Sequence, residues 1–382
     1  MKIVKAEAFN IHFKSNMVRD KEGHSHFAPD KEHDAKAGFF RITCDDGTVG
    51  CAVGGNMNVD ILKNVVGPAL IGQDPFFHEQ IWQRMRTWQR LHSTFTDRTL
   101  CALDLALWDI CGKKCGQPVY KLLGAYRDKV PAYGSIMVGD DLPGGLDTPQ
   151  AYADFAAKLV KKGYKAIKLH TWMPPIIPEP DPKMDIAACA AVREAVGPDI
   201  ELMLDPYHDY SRQEALYLAK ELEKLNFLWM EEPMDEHSMS SYKWLTEQAD
   251  LQICGPETME GKNCTRAEWI VAGASDIGRA GSEVTGGITS LMKSVHLYES
   301  FGMSLELHGN TIGNIHVLGA MPIAGKYYER GLLHPMIDYD KPKPWFTEIY
   351  DPMDSDGFIH MPTEPGLGLH FDFDYIENNK VD

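Results

Sequence analysis

Apolar positions along this chain recur with two periods, and the switch between them divides the sequence. Residues 2–12 and 38–54 read as strands, the second stretch turning at Asp45-Asp46-Gly47. Between them, residues 17–37 are polar and charged and predict a long loop, of the kind that serves as a lid or stays disordered. Residues 59–123 have a helical period, broken at Gly67-Pro68 and near Gln73-Asp74-Pro75. Within them, residues 100–109 are apolar on most faces, which predicts burial at an interface. An α+β domain ending at residue 126, with a mobile lid over about 17–37, follows from this pattern.

From there the pattern becomes a repeat of short apolar run and helix. Residues 130–135 form the first run. Thr148-Pro149 then opens a helix striped by Tyr152, Phe155, Ala156, Leu159 and Val160 and closed by Gly163. Residues 165–170 form the second run. The next three end in Asp205, Glu231 and Glu257, and both intervals are 26 residues, the length of one βα unit. Ser211 and Glu214 form a capping box ahead of the helix over 215–225. Runs at 274–279, 303–308 and 327–329 complete eight units. The expected fold is α/β: a (β/α)8 TIM-like barrel over 127–340 with an N-terminal α+β capping domain. The segment 341–382 lacks a helical period and is expected to return to the capping domain.

Three strand-end acids change the picture. At the C-terminal rim of a parallel barrel they converge, and they repel one another unless a cation lies between them. Oxygen-only ligands suit Mg²⁺, with Mn²⁺ as a substitute. The plainer reading is that each acid merely caps the helix that follows it; equal spacing of three favours convergence. Lys168 and His170 alternate onto one strand face and so aim together at the mouth, although an exposed lysine beside a chance histidine would look the same. His24 and His26 lie in the 17–37 loop, as ligand contacts or as solvated side chains. The proline-rich segment after Trp172 predicts an ordered flap.

Composition narrows the class of partner. Over 382 residues the chain is 44% apolar and 24% charged, ordinary for a globular protein. Its net charge of −17, without a basic stripe, excludes nucleic-acid binding. Eight cysteines form no C-x-x-C pair, no apolar run reaches membrane-spanning length, and the start lacks a signal-like segment. A reducing cytoplasm is the expected location.

With these motifs in place, the chain resembles the enolase superfamily, in its mandelate racemase-like group. The resemblance rests on the Ala-Leu-Asp-Leu-Ala-Leu-Trp-Asp helix, the strand-end acids, Glu231-Glu232-Pro233 and the Pro-Gly-Leu-Gly ending. It implies that Asp205, Glu231 and Glu257 hold Mg²⁺. It also implies that Lys168 is the strand-two lysine, with His170 where many members have a second lysine, that Asp276 and His308 form a dyad, and that Lys168 and His308 are the two acid/base groups, either of which can be the base. Glu329 is implied to be the eighth-strand acid, which donates a hydrogen bond to the substrate carboxylate if protonated and is otherwise a plain structural acid. The implied reaction removes the proton α to a carboxylate, and an enolase-type site is known to do this with a lysine or histidine base and Mg²⁺. Loss of a β-hydroxyl would then make a sugar acid into a 2-keto-3-deoxy acid. Return of the proton would make the protein a racemase, epimerase or cycloisomerase, and a barrel that binds Mg²⁺ without catalysis is the third reading. Trp172, Tyr207, His208, His24 and His26 are the expected substrate contacts. Homo-oligomers are expected on the same grounds.

Overall fold

The computed structural model describes residues 1–382 except 20–24, 55, 174–175, 177–179, 323–324 and 382. Its N-terminal layer is an antiparallel sheet of β1 (Ile3–Ser15), β4 (His33–Cys44) and β5 (Val49–Gly54), in the order β15-β1-β4-β5. The fourth strand, β15 (Lys380–Val381), comes from the far end of the chain and pairs with Asn10 and Ile11.

The 17–37 loop is shorter than its composition predicts. β1 and β4 stay in register out to Ser15↔His33, and β2 (Met17–Arg19) pairs with β3 (Ser25–Phe27) as a small hairpin. The first residues of β4 are mostly solvent-facing, so this strand end has no apolar alternation to announce it. What holds this end is the ladder of backbone hydrogen bonds to β1.

The helix Asp97–Cys115 is buried along most of its length. Thr96 caps its start by accepting from the Thr99 amide, and Gly116, with φ of 64°, ends it in the left-handed region. One face lies so close to β5 that a Cβ on Gly50 would sit 2.1 Å from the Ala106 carbonyl oxygen. The other face touches the barrel. Asp104 accepts from the Thr289 amide at 2.9 Å, at the first turn of the barrel helix Ile288–Ser300, whose Gly287 N-cap has no side chain to do this itself. Trp108 Nε1 donates to Thr289 Oγ1 at 3.0 Å beside it.

Eight parallel strands follow: β6 (Lys129–Ile136), β7 (Ala166–His170), β8 (Glu201–Asp205), β9 (Trp229–Glu231), β10 (Gln252–Cys254), β11 (Gly278–Ala280), β12 (Leu305–Leu307) and β13 (Tyr328–Leu333). They pair in the order β10-β9-β8-β7-β6-β13, a Cys254↔Ile277 bridge leads from β10 to β11, and β11 pairs with β12. This is the (β/α)8 barrel expected. Tyr133, Ala166, Met203, Trp229, Cys254, Ile277 and Tyr327 alternate inward and pack as one cluster that floors the mouth. The residues two further along each strand therefore stand one layer higher, at the C-terminal rim. β14 (Phe358–His360) runs antiparallel against the start of β6. Among the described residues no helix is long and apolar enough to cross a membrane.

Candidate active site

Above the cluster of Tyr133, Ala166 and Trp229, the next inward positions are Ser135, Lys168, Asp205, Glu231, Arg279, His308 and Glu329. All but the serine bear titratable groups. Lys168 is wholly buried, its Nζ 2.9 Å from Glu231 Oε2, 3.0 Å from Glu329 Oε1 and 3.5 Å from Asp205 Oδ2. An ammonium has three N–H groups, and here three carboxylates surround it. Burial alone would lower its pKa; Glu231 and Glu329 outweigh that and hold it well above the usual lysine value. His170 places Nδ1 2.7 Å from the Ile136 carbonyl, which only accepts, so Nδ1 carries the hydrogen and Nε2 faces Asp205 Oδ2 at 3.0 Å.

Arg279 was not anticipated from the sequence. Fully buried, it donates from Nε to Glu231 Oε1 at 2.7 Å and from Nη2 to Glu329 Oε2 at 2.7 Å, with Tyr133 Oη at 3.2 Å. Its Nε is also 3.6 Å from Glu257 Oε2. Alternation from the inward Ile277 would have placed Arg279 inward, had the strand been positioned correctly. Ser135 and the pair Glu232 and Glu236 were missed as well. Ser135 Oγ donates to Glu329 Oε1 at 2.8 Å. The Glu257 amide donates to both Glu232 and Glu236, to the latter at 2.6 Å, which fixes where the Glu257 side chain begins.

Two expected residues lie elsewhere, and one has a different ionisation. Asp276 is not beside His308. Its Oδ2 accepts from the Ile253 amide at 2.9 Å, because β11 starts at Gly278 and Asp276 precedes it, away from the rim. The rim position next to His308 is Gly281, where a Cβ would stand 2.6 Å from the His308 carbonyl oxygen. No acid fits there. His308 Nδ1 instead lies 2.7 Å from Glu257 Oε2, an ion-pair contact. Burial lowers its pKa, but Glu257 and Glu329 outweigh that and raise it. Trp172 does not face the mouth: it is buried edge-on against Tyr152 at 5.1 Å, on the helix side of the barrel wall, with its ring against Gly139. The period-2 alternation on which its placement rested stops at His170, where β7 ends. Glu329 receives hydrogen bonds or ion pairs from Ser135, Arg279, Lys168 and the Gly309 amide, all donors, and its pKa lies well below the usual carboxylate value although burial opposes this. It is a carboxylate and not a hydrogen-bond donor.

Tyr207 stands at the rim, its amide donating to Asp205 Oδ1 at 3.1 Å and its ring 5.3 Å from that of His208. His208 Nε2 is 3.5 Å from Glu232 Oε2, behind Glu257. His26 lies on β3 opposite Val18, and His24 falls outside the described residues.

The donor set fits a hard divalent cation. Burial, together with Asp205 and Glu257, pushes Glu231 up to about 8 even against Arg279 and Lys168, whereas His170 and Lys168 pull the buried Asp205 down to about 2. Glu231 and Glu257 present ligand atoms within 4.8 Å of one another and of His308, whereas Asp205 lies outside that group among the described residues, its Oδ2 turned to His170 and Lys168. Once Glu231 gives up its proton, four carboxylates face two permanent cations, Lys168 and Arg279, so a dipositive ion is the charge that takes that proton's place in the cluster.

Two family models match the chain. The mandelate racemase / muconate lactonizing enzyme N-terminal domain covers residues 16–124, and the enolase C-terminal domain-like model covers residues 151–375. Among solved structures, D-glucarate dehydratase from Agrobacterium tumefaciens, complexed with magnesium, superposes with a TM-score of 0.96 at 50% identity over 100% of both chains. Arabinonate dehydratase of Saccharolobus solfataricus is 30% identical over 88% of this chain and 88% of its own length. D-galactarolactone cycloisomerase of Agrobacterium fabrum is 28% identical over 88% of this chain and 89% of its own. The chain belongs to the enolase superfamily, in its mandelate racemase-like group.

Proposed function

We propose that this hydro-lyase removes the proton α to the carboxylate of an acid sugar and expels the β-hydroxyl as water, leaving a 2-keto-3-deoxy acid. The observation that carries this is the pairing of a rim histidine, His308 on Glu257, with the cluster of four carboxylates around Lys168 and Arg279. Asp205, Glu231 and Glu257 would hold Mg²⁺, or Mn²⁺ in its place, which as a Lewis acid takes up charge developing on the substrate carboxylate.

The remaining roles fall to the chain itself. His308 is the proton carrier. Glu257 engages its Nδ1, and its side chain keeps 34% of its surface exposed, so Nε2 is the nitrogen available to the mouth. It takes the α-proton and delivers a proton to the departing hydroxyl. Lys168 has no exposed surface and three carboxylates around its ammonium, so it cannot reach substrate without giving up a partner. It contributes positive charge beneath the reacting carboxylate. Arg279 and Ser135 keep Glu329 ionised and still, and Glu329 in turn holds Lys168.

The 50% identity to a D-glucarate dehydratase favours dehydration over cycloisomerisation and makes D-glucarate the first substrate to test. Purified protein with Mg²⁺ should form a 2-keto acid, seen as semicarbazone absorbance, from one stereochemical class of aldaric or aldonic acids, and EDTA should abolish it. His308→Asn should also stop exchange of the α-proton with D₂O, whereas Lys168→Met should retain slow exchange. Deuterium entering without any keto acid would reassign the protein to racemisation or epimerisation.

A further inference from the structure

Arg266 is wholly buried, yet among the described residues no ion pair joins it to a carboxylate. It lies in the opening turn of the helix Asn263–Ala272, which follows β10, and a cation there meets the unfavourable end of the helix dipole. Helix stability therefore does not account for it.

Its guanidinium is spent on backbone carbonyls. Nη2 donates to the Glu257 oxygen at 2.8 Å and to the Pro256 oxygen at 3.2 Å, Nε to the Arg279 oxygen at 3.0 Å, and Nη1 to the Lys262 oxygen at 3.1 Å. One planar fork thus spans the turn that carries Glu257, the strand β11 that carries Arg279, and the start of its own helix. The Glu257 amide is held by Glu232 and Glu236, and its carbonyl by Arg266, so the backbone on both sides of that side chain is fixed. Arg279, whose own Nε stands 3.6 Å from Glu257 Oε2, is tied to the same fork through its carbonyl. Lys262 extends the frame to the capping domain, with Nζ 2.6 Å from Asp97 Oδ1 and 3.0 Å from Gln89 Oε1.

We infer that Arg266 is a positioning residue of the metal site: from the helix side of the barrel it fixes the backbone at Glu257 and Arg279, and so sets the spacing between a metal-binding carboxylate and the cation beside it. The inference rests on the reading of Glu257 as a Mg²⁺ ligand. Charge and geometry predict opposite results when Arg266 is removed. By charge alone, loss of a buried cation 2.8 Å from the Glu257 carbonyl oxygen makes the surroundings more negative and tightens Mg²⁺. By geometry, the Glu257 carboxylate loses its fixed origin, and Mg²⁺, which demands near-ideal octahedral ligands, binds less well.

Isothermal titration of Mg²⁺ into the full chain, stripped beforehand with EDTA, decides between the two. Arg266→Met should raise the Mg²⁺ dissociation constant about 10–100-fold, the range for residues that orient a ligand. Arg266→Lys keeps the charge without the fork; it should weaken binding too, and it carries the test if the methionine variant does not fold. Lys262→Met is the control, because it removes the largely buried pair with Asp97 but leaves the Lys262 carbonyl in place. Its melting temperature should fall while its Mg²⁺ affinity stays at the wild-type value. A folded Arg266 variant that binds Mg²⁺ as tightly as the wild type, or more tightly, overturns the inference. So does equal weakening in Lys262→Met, which would trace the loss to general destabilisation. A wild type that takes up no Mg²⁺ removes the metal reading and this inference together.

Discussion

Replacing Arg279 with methionine tests whether the site is a balanced charge cluster. Arg279 has no exposed surface and makes two 2.7 Å contacts, to Glu231 and Glu329. Each hydrogen bond to a charged group contributes about 1.5–3 kcal/mol, and removing one partner from a buried ion pair costs about 3–5 kcal/mol. The two routes agree, so Arg279→Met should lose about 3–5 kcal/mol of unfolding free energy in EDTA at neutral pH. The variant leaves the four carboxylates of the cluster with Lys168 as the remaining one of its two permanent cations, and a divalent cation then meets a more negative site. Mg²⁺ at about a hundred times its dissociation constant adds about 2.7 kcal/mol to any folded protein that binds it. At one fixed, subsaturating Mg²⁺ concentration the variant should gain more than the wild type. Urea titrations with EDTA and with Mg²⁺, read by tryptophan fluorescence, give both quantities. A loss below about 1 kcal/mol, the range of an exposed pair, or equal metal stabilisation in the two proteins would refute the charge-balance argument.

Gly281→Ala should lower kcat by about a hundredfold and cost about 1–3 kcal/mol of stability, because its φ of −160° suits any residue but the 2.6 Å approach to the His308 carbonyl forces that backbone to shift; steady-state rates with the turned-over acid, alongside thermal melts, check this. In EDTA, stability should fall as pH rises from about 4.5 to 8. Glu231 keeps its proton in the folded state up to about 8, so the native state binds more protons there than the unfolded chain does. His308, raised above its ordinary value, acts in the same direction, and Asp205, lowered to about 2, acts only at more acid pH. Mg²⁺ should flatten the slope in melts taken across this range. Trp172→Ala should cost about 3–5 kcal/mol of stability through the cavity it leaves against Tyr152, while KM in the surviving folded fraction stays unchanged.

Much of the barrel was legible because its signal is local and periodic. Each of Asp205, Glu231 and Glu257 ends or directly follows a short apolar run, and Lys168 alternates with an inward Ala166, so their convergence could be read from spacing alone. Asp276 misled because β11 is three residues long, too short for alternation to fix its register. Once the strand is displaced by that much, an inward arginine disappears and an outward acid takes the place of a glycine. Trp172 misled because a residue just past a strand end obeys no period. The end of β4 was hidden for the opposite reason, having few buried side chains to show a pattern. Glu232 and Glu236 act through the Glu257 amide, a contact between chain positions that nothing in their own neighbourhood signals.

The Asp104 carboxyl finishes a helix to which it does not belong. Burial pushes it up to about 7, although the Thr289 hydroxyl and amide favour its ionised form. Cut from its neighbour, the barrel would retain an open turn at Thr289, and the helix Asp97–Cys115 would expose an acid in the middle of an apolar face. Neither half is therefore a portable module. Calorimetry should record one transition for the whole chain, and the two parts should have diverged in evolution together, not by exchange with unrelated partners.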